Sequence, residues 1–234
     1  MALYRAPNRR LSEPPQRNRC IVLDLDETLV HTQDSTTTLF ELGLLSDPQL
    51  MNLRSRLYYM TLEDLFKQPG TGTHNDYWGV MRPHLREFLE FCTSYFQVTA
   101  VWSAGQRSYV QAIVDNIFRG LPRPPIVFSY DDCRRQGKVL DKPLQMMMDR
   151  SPELSRYMRL DNTLVVDDRA YTFAENPDNG ILIPAYNPGP DLASLYQEDQ
   201  GLLELRNWLI SPEVLKAPDV RLLDKRAIFC LPTK

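Results

Sequence analysis

Four aspartates carry the chemistry that this sequence could do. Asp24 and Asp26 stand in Asp24-Leu25-Asp26-Glu27-Thr28, directly after the apolar run Cys20–Leu23, and Asp167 and Asp168 close a second run, Thr163–Val166. Open α/β sheets collect their ligands at the carboxyl ends of strands, so two such strands lying side by side would bring four carboxylates together. Acids crowded into a partly dry pocket repel one another and take up protons unless a cation neutralises them. With oxygen donors and no Cys or His cluster at metal spacing, the fitting ion is Mg2+, which is commonly shared with a substrate phosphate. Taken singly, the pairs also suit blander roles, a surface turn for Asp24 and Asp26 and a helix N-cap for Asp167 and Asp168. A calcium loop does not fit, because the glycine and glutamate it needs at its sixth and twelfth positions are Leu29 and Ser35 here.

The elements that must position these acids read as a sheet with crossover helices. Apolar runs at Cys20–Asp24, Val98–Ser103, Ile126–Ser129, Leu164–Asp167 and Ile181–Ile183 alternate with amphipathic segments, the pattern of a doubly wound, mostly parallel α/β sheet of Rossmann type. Leu85, Phe88, Leu89 and Cys92, and again Val110, Ile113, Val114 and Ile117, fall at helical spacing and suit packing on that sheet. Residues 33–81 interrupt the rhythm as an insertion near the mouth of the site. In it a polar stretch and a short helical region precede strands at Leu57–Thr61 and Tyr77–Met81, a β-hairpin whose loop holds Gly70-Thr71-Gly72. Leu202, Leu203, Leu205, Trp208 and Leu209 predict a closing helix, after which Pro212 and Pro218 break regularity. The domain is expected over 20–225. An Arg- and Pro-containing flexible tail at 1–19 and a short tail at 226–234 flank it.

Composition narrows the function classes. The 234 residues carry a formal net charge of −3, which gives no global reason to expect direct nucleic-acid binding, since that is driven by clustered positive charge. No run approaches the roughly 18 apolar residues of a membrane span, and the N-terminus lacks a secretory core. Cys20, Cys92, Cys133 and Cys230 form no CxxC pair. A soluble intracellular protein, nuclear or cytoplasmic, with no membrane partner is expected. His31 and His84 lack metal-spaced partners and read as packing residues, as does Met146-Met147-Met148. Tyr58, Tyr59, Tyr77 and Trp78 suit either a small core or a wall gripping a peptide.

Asp24-x-Asp26-x-Thr28 resembles the first motif of the haloacid dehalogenase superfamily, and Asp24-Leu-Asp-Glu-Thr-Leu-Val-His31 is similar, more narrowly, to the phosphatases of the RNA polymerase II C-terminal domain and NLI-interacting-factor type. Arg82-Pro-His-Leu-Arg-Glu-Phe-Leu89, Val101-Trp-Ser-Ala-Gly105 followed by Tyr109, and Asp167-Asp168-Arg169 resemble further motifs of that family. The resemblance implies that Asp24 is the nucleophile and that Asp26 is the general acid, later the base that activates water. It implies that Asp24, the backbone carbonyl of Asp26 and Asp168 hold Mg2+, with Asp167 a ligand or a partner of one. Thr28 and Ser103 are implied on the phosphate, though Ser103 also suits capping of the next helix. Lys142, with Lys138 as competitor, matches the family's lysine. The implied activity is phosphoserine/phosphothreonine protein phosphatase, with a phosphorylated protein or peptide as partner and the polymerase tail as first substrate. The rivals are a small-molecule or nucleic-acid-end phosphatase and a non-catalytic binding member. An arginine common after the third strand in such enzymes is replaced near Ser129, with Arg134 and Arg135 as candidate substitutes.

Overall fold

The computed structural model describes residues 16–44, 46–63, 74–137, 139–150, 153 and 155–229; Gly70-Thr71-Gly72, Lys138 and Cys230 lie outside them. Its strands are β1 (Gln16–Leu23), β2 (Val30–Gln33), β3 (Leu57–Glu63), β4 (His74–Met81), β5 (Phe96–Trp102), β6 (Val127–Phe128), β7 (Arg134–Gln136), β8 (Val139–Asp141), β9 (Thr163–Asp167) and β10 (Gly180–Leu182). The helices are α1 (Thr37–Glu41), α2 (Met51–Arg54), α3 (Leu85–Tyr95), α4 (Arg107–Ile117), α5 (Leu144–Arg150), α6 (Leu192–Tyr196), α7 (Gly201–Leu209) and α8 (Pro212–Lys216).

Five strands form one parallel sheet in the order β10-β9-β1-β5-β6. The chain starts in the middle of this sheet, builds one flank through β5 and β6, and returns to build the other through β9 and β10. The winding direction therefore reverses beside β1, and ligand crevices open at such reversals. Strand alternation divides the core in two. Ile21, Leu23, Val101, Leu164 and Val166 face the layer of α3, α4 and α7, where Phe88, Val110, Ile113 and Leu205 pack on them. Cys20, Val22, Ala100, Trp102 and Val165 face the other side, covered by Met147 and Met148 of α5 and by Met158. All five residues of β9 are buried, as a parallel strand covered on both faces requires.

Folded structure reaches further than the sequence suggests at both ends. β1 begins at Gln16, and Arg19, expected in the tail, is buried and donates from Nη2 to the Ala217 carbonyl at 2.7 Å. Ile228, expected in the C-terminal tail, is buried in the first core. Both residues find cover that a composition reading cannot foresee.

The insertion is an antiparallel sheet, β2-β4-β3, beginning at Val30 rather than residue 33. It has its own core, in which Leu39, Leu53, Trp78 and Val80 pack with Leu195 of α6. Of its aromatics, Tyr58 and Trp78 are buried, Trp78 in this small core, whereas Tyr59 is exposed and Tyr77 half-buried. Gly79 is required where it stands, because a Cβ there would lie 2.2 Å from the Tyr58 hydroxyl oxygen and 2.5 Å from the His31 carbonyl oxygen.

Candidate active site

Register sets the site. Leu23 pairs with Val166 on one side and Val101 on the other, so the next residues, Asp24, Asp167 and Trp102, reach the sheet's carboxyl edge at one level. The Asp24 amide donates to the Val166 carbonyl at 3.0 Å, which fixes the first acid beside the strand that carries the second pair. Oxygens of Asp24, Asp167 and Asp168 lie within 4.8 Å of one another.

After Asp24 the chain turns sharply, with the Leu29 and Val30 amides both donating to the Leu25 carbonyl, at 2.8 and 3.0 Å. Glu27 takes φ +60°, a left-handed conformation that costs a side-chain-bearing residue roughly 1 kcal/mol or more. The surroundings hold it there. The Tyr186 amide donates to the Glu27 carbonyl at 2.6 Å, and Arg82 donates to the Thr28 carbonyl at 3.1 Å. Arg82 is itself buried and bound to Asp199 at 2.7 and 2.9 Å, so it ties the turn to the start of α7.

Lys142 enters between β8 and α5, its amide fastened to the Thr172 carbonyl at 2.6 Å. Its ammonium donates to Asp24 Oδ1 at 2.5 Å and to Asp167 Oδ2 at 2.7 Å, and the side chain is buried. Burial alone would lower its pKa, but the two carboxylates outweigh burial and hold the ammonium above its ordinary value. Asp24 nonetheless moves up, to about 8: burial raises it, and Asp167 and Asp26 add repulsion that the attraction of Lys142 does not cancel. Burial is the larger cause for Asp24, and a single ammonium serving two carboxylates cannot cancel it. Asp168 also rises, through burial and then through Asp167, against the pull of Arg169. This donor set fits a hard divalent cation: three carboxylates, no sulfur or imidazole, and an unmet need for positive charge.

Asp26 lies apart from that cluster, half-buried on the other rim. Tyr109 donates to its Oδ1, and Ser103 donates to Oδ2 at 3.3 Å. Because the Tyr109 proton is committed to Asp26, the 2.5 Å contact with Thr32 makes Thr32 the donor, and Tyr58 then donates to Thr32 at 2.6 Å. The result is a one-way chain of hydroxyls, Tyr58 to Thr32 to Tyr109 to Asp26. Burial raises both phenols, so they stay protonated and act as donors. Asp26 is also raised by burial, opposed by the hydrogen bonds from Tyr109 and Ser103.

The site residues named from sequence thus divide by place. Asp24, Lys142, Asp167 and Asp168 line a cavity of about 540 Å3 together with Asp26. Ser103 is buried and accepts from the Gly105 amide at 3.0 Å, a bond within the loop ahead of α4 rather than a cap on that helix, whose N-cap is Gln106. Thr28 is fully buried in the turn, and its Oγ1 has no hydrogen-bond partner among the described residues. His31 binds Glu27 at 3.1 Å, and His84 is exposed ahead of α3. Arg134 is engaged by Asp141 and Glu175. Sequence reasoning missed the hydroxyl chain. Its one available signal was Tyr109, six residues after Ser103, where the first turn of α4 brings it back over the strand end.

A parallel sheet with an aspartate pair at the tip of its central strand, answered by a second pair and a buried lysine, defines a protein of the haloacid dehalogenase type. The chain belongs to the NLI interacting factor-like phosphatases, whose family model matches residues 19–221. It is 28% identical over 149 residues to ubiquitin-like domain-containing CTD phosphatase 1 of Pongo abelii, covering 60% of this chain and 44% of that protein. It is 24% identical over 181 residues to the putative CTD phosphatase-like protein 355R of Invertebrate iridescent virus 3, covering 73% of this chain and 85% of the relative. The chain therefore spans less than half the length of the ubiquitin-like domain-containing relative. Among solved structures it resembles a fission yeast RNA polymerase II CTD phosphatase Fcp1 bound to beryllium fluoride. That likeness has a TM-score of 0.56 and 20% identity, and covers 87% of this chain and 54% of the other. A second Fcp1 structure gives 0.57 at 19% identity, covering 90% and 59%. At these identities the structural likeness is one of fold. No helix among the described residues is long and apolar enough to cross a membrane.

Proposed function

We propose that the chain is a phosphoserine/phosphothreonine protein phosphatase working through an aspartyl phosphate on Asp24, with the polymerase tail named for its relatives as the first substrate to test. The observation that carries this reading is the pairing of Asp24 with a buried lysine inside a carboxylate-lined cavity. A carboxylate nucleophile splits phosphoryl transfer into two easier displacements.

In the first displacement an oxygen of Asp24 bonds to phosphorus while the bond from phosphorus to the serine or threonine oxygen breaks, and Asp26 gives that oxygen its proton. In the second, Asp26, now a carboxylate, takes a proton from water as the water oxygen attacks phosphorus and the bond to Asp24 opens, which frees phosphate. Lys142 aims Asp24 and favours its ionised form against burial, and it lowers the repulsion between that carboxylate and the incoming phosphate. Ser103 and Tyr109 fix the orientation of Asp26. Asp24, Asp167 and Asp168, with the Asp26 carbonyl, would hold Mg2+, which supplies charge neutralisation for the phosphoryl oxygens.

The test compares hydrolysis of an aryl phosphate by the native chain with Mg2+, by the native chain with chelator, and by Asp24→Asn. Turnover in the first alone supports the reading. Equal turnover in all three removes it.

A further inference from the structure

Beyond the acid-lined cavity, and sharing Asp26, Ala104 and Gly105 with it, lies a second cleft of about 790 Å3. Its walls are the rings of Tyr77, Tyr109 and Tyr130, with His31, Gln106 and the exposed Asp34 among its polar lining. The inference drawn from it rests on the proposed function: if Asp26 protonates the leaving oxygen, the polypeptide on either side of the phosphorylated residue departs through the cleft onto which Asp26 opens.

The chemistry of that cleft is specific. Among the described residues lining it there is no lysine or arginine, while the exposed Asp34 stands in its wall. His31, its one imidazole, is paired at Nδ1 with the Glu27 carboxylate at 3.1 Å, so the pair adds no net positive charge to the wall. Arg107, one residue past Gln106, faces Asp131 and Asp132 at 3.9 Å. Tyr77 and Tyr109 meet edge to face, with centroids 6.3 Å apart and planes at 67°. Aromatic faces beside a carboxylate attract an ammonium or guanidinium, whereas a second phosphate would meet like charge and no donor cation.

We propose that this cleft binds a lysine or arginine side chain next to the phosphorylated residue of a protein substrate, and that it discriminates against substrates with a neighbouring acid or second phosphate. One cation held by aromatic faces and one carboxylate corresponds to about three- to thirty-fold in kcat/KM.

The experiment uses the full chain with Mg2+ and four phosphoserine peptides that differ only in the adjoining residues, which are arginine, proline, glutamate or a second phosphoserine, beside an aryl phosphate. The expected ranking puts arginine first, about three- to thirty-fold over glutamate and further over the doubly phosphorylated peptide. The arginine-to-glutamate ratio should fall towards one in Asp34→Asn, and in a second variant, Tyr77→Leu. A ratio near one in the native chain overturns the proposal. So does a proline or doubly phosphorylated peptide ranking first with the order unchanged in Asp34→Asn. Hydrolysis of the aryl phosphate with none of the four peptides cleaved removes the protein-substrate reading itself, and the proposal with it.

Discussion

Replacing Lys142 with methionine tests the electrostatic logic of the site apart from catalysis. The ammonium, almost wholly buried, is shared between Asp24 Oδ1 at 2.5 Å and Asp167 Oδ2 at 2.7 Å, and both carboxylates are buried as well. Removing one partner of a buried ion pair leaves an uncompensated charge and costs about 3–5 kcal/mol. In a chain of this size each kcal/mol lowers Tm by roughly 2–4 °C, so the variant should melt about 6–20 °C below the native protein in chelator. Two further measurements guard against a simple packing loss. Measured well above pH 8, where Asp24 would be ionised, adding Asp24→Asn to Lys142→Met should recover a large part of the deficit, because the variant then buries one charge fewer. Mg2+ should stabilise Lys142→Met more than it stabilises the native chain, since the ion offers the same carboxylates the charge they have lost. Thermal or urea unfolding of the three proteins, with and without Mg2+, provides the values. A Lys142→Met variant within 1 kcal/mol of native, or a double variant no more stable than the single, would refute the claim that this lysine is what permits the carboxylates to be buried.

Three other outcomes follow from the same geometry. In chelator, the native chain should lose stability relative to Asp24→Asn as pH rises from about 4 to about 8. Asp24 titrates near 8 in the folded protein against an ordinary 3.8, so over that window the folded state binds the extra proton, and stability falls as it is lost; parallel pH profiles of the two proteins would contradict this. Mg2+ at about 100 times its dissociation constant should add about 2.7 kcal/mol to the native chain by mass action, and Asp168→Asn should lose much of that gain in differential scanning calorimetry. Tyr109→Phe should lower kcat/KM about 10- to 100-fold for alkyl phosphates but far less for a dinitrophenyl phosphate, whose leaving group needs no proton; equal loss on both would end the case for Tyr109 as a positioning residue of Asp26.

Much of the sheet was legible because buried parallel strands announce themselves. Thr163–Val166 is apolar on both faces, and the run that ends at Leu23 is too, so the same residues that mark these strands also mark where they end, at acids. The stripe Val110, Ile113, Val114 and Ile117 foretold α4, and Leu85, Phe88, Leu89 and Cys92 foretold α3. What escaped depends on partners distant in sequence. Gln16–Arg19 looks like tail by composition, but Gln16 pairs with Phe96 of β5 and Arg19 finds the Ala217 carbonyl 198 residues away. The insertion starts at Val30 because Val30 pairs with Met81, a register that no local pattern encodes.

The site repeats that division. Carboxylates declare themselves by type, and strand ends declare their position, so the approach of Asp24 to Asp167 and Asp168 could be argued before any coordinate. Hydroxyls carry no such mark. Thr32, Tyr58 and Tyr109 come from β2 and β3 of the antiparallel sheet and from helix α4, and each read alone is an ordinary strand or helix residue. Only their meeting over Asp26 gives them a shared direction, because the last proton in the chain has one acceptor and every earlier proton must then point the same way. The insertion thereby reaches Asp26: a change in how β2 and β3 sit on α4 would reorient its carboxyl with no substitution in the Asp24–Thr28 turn.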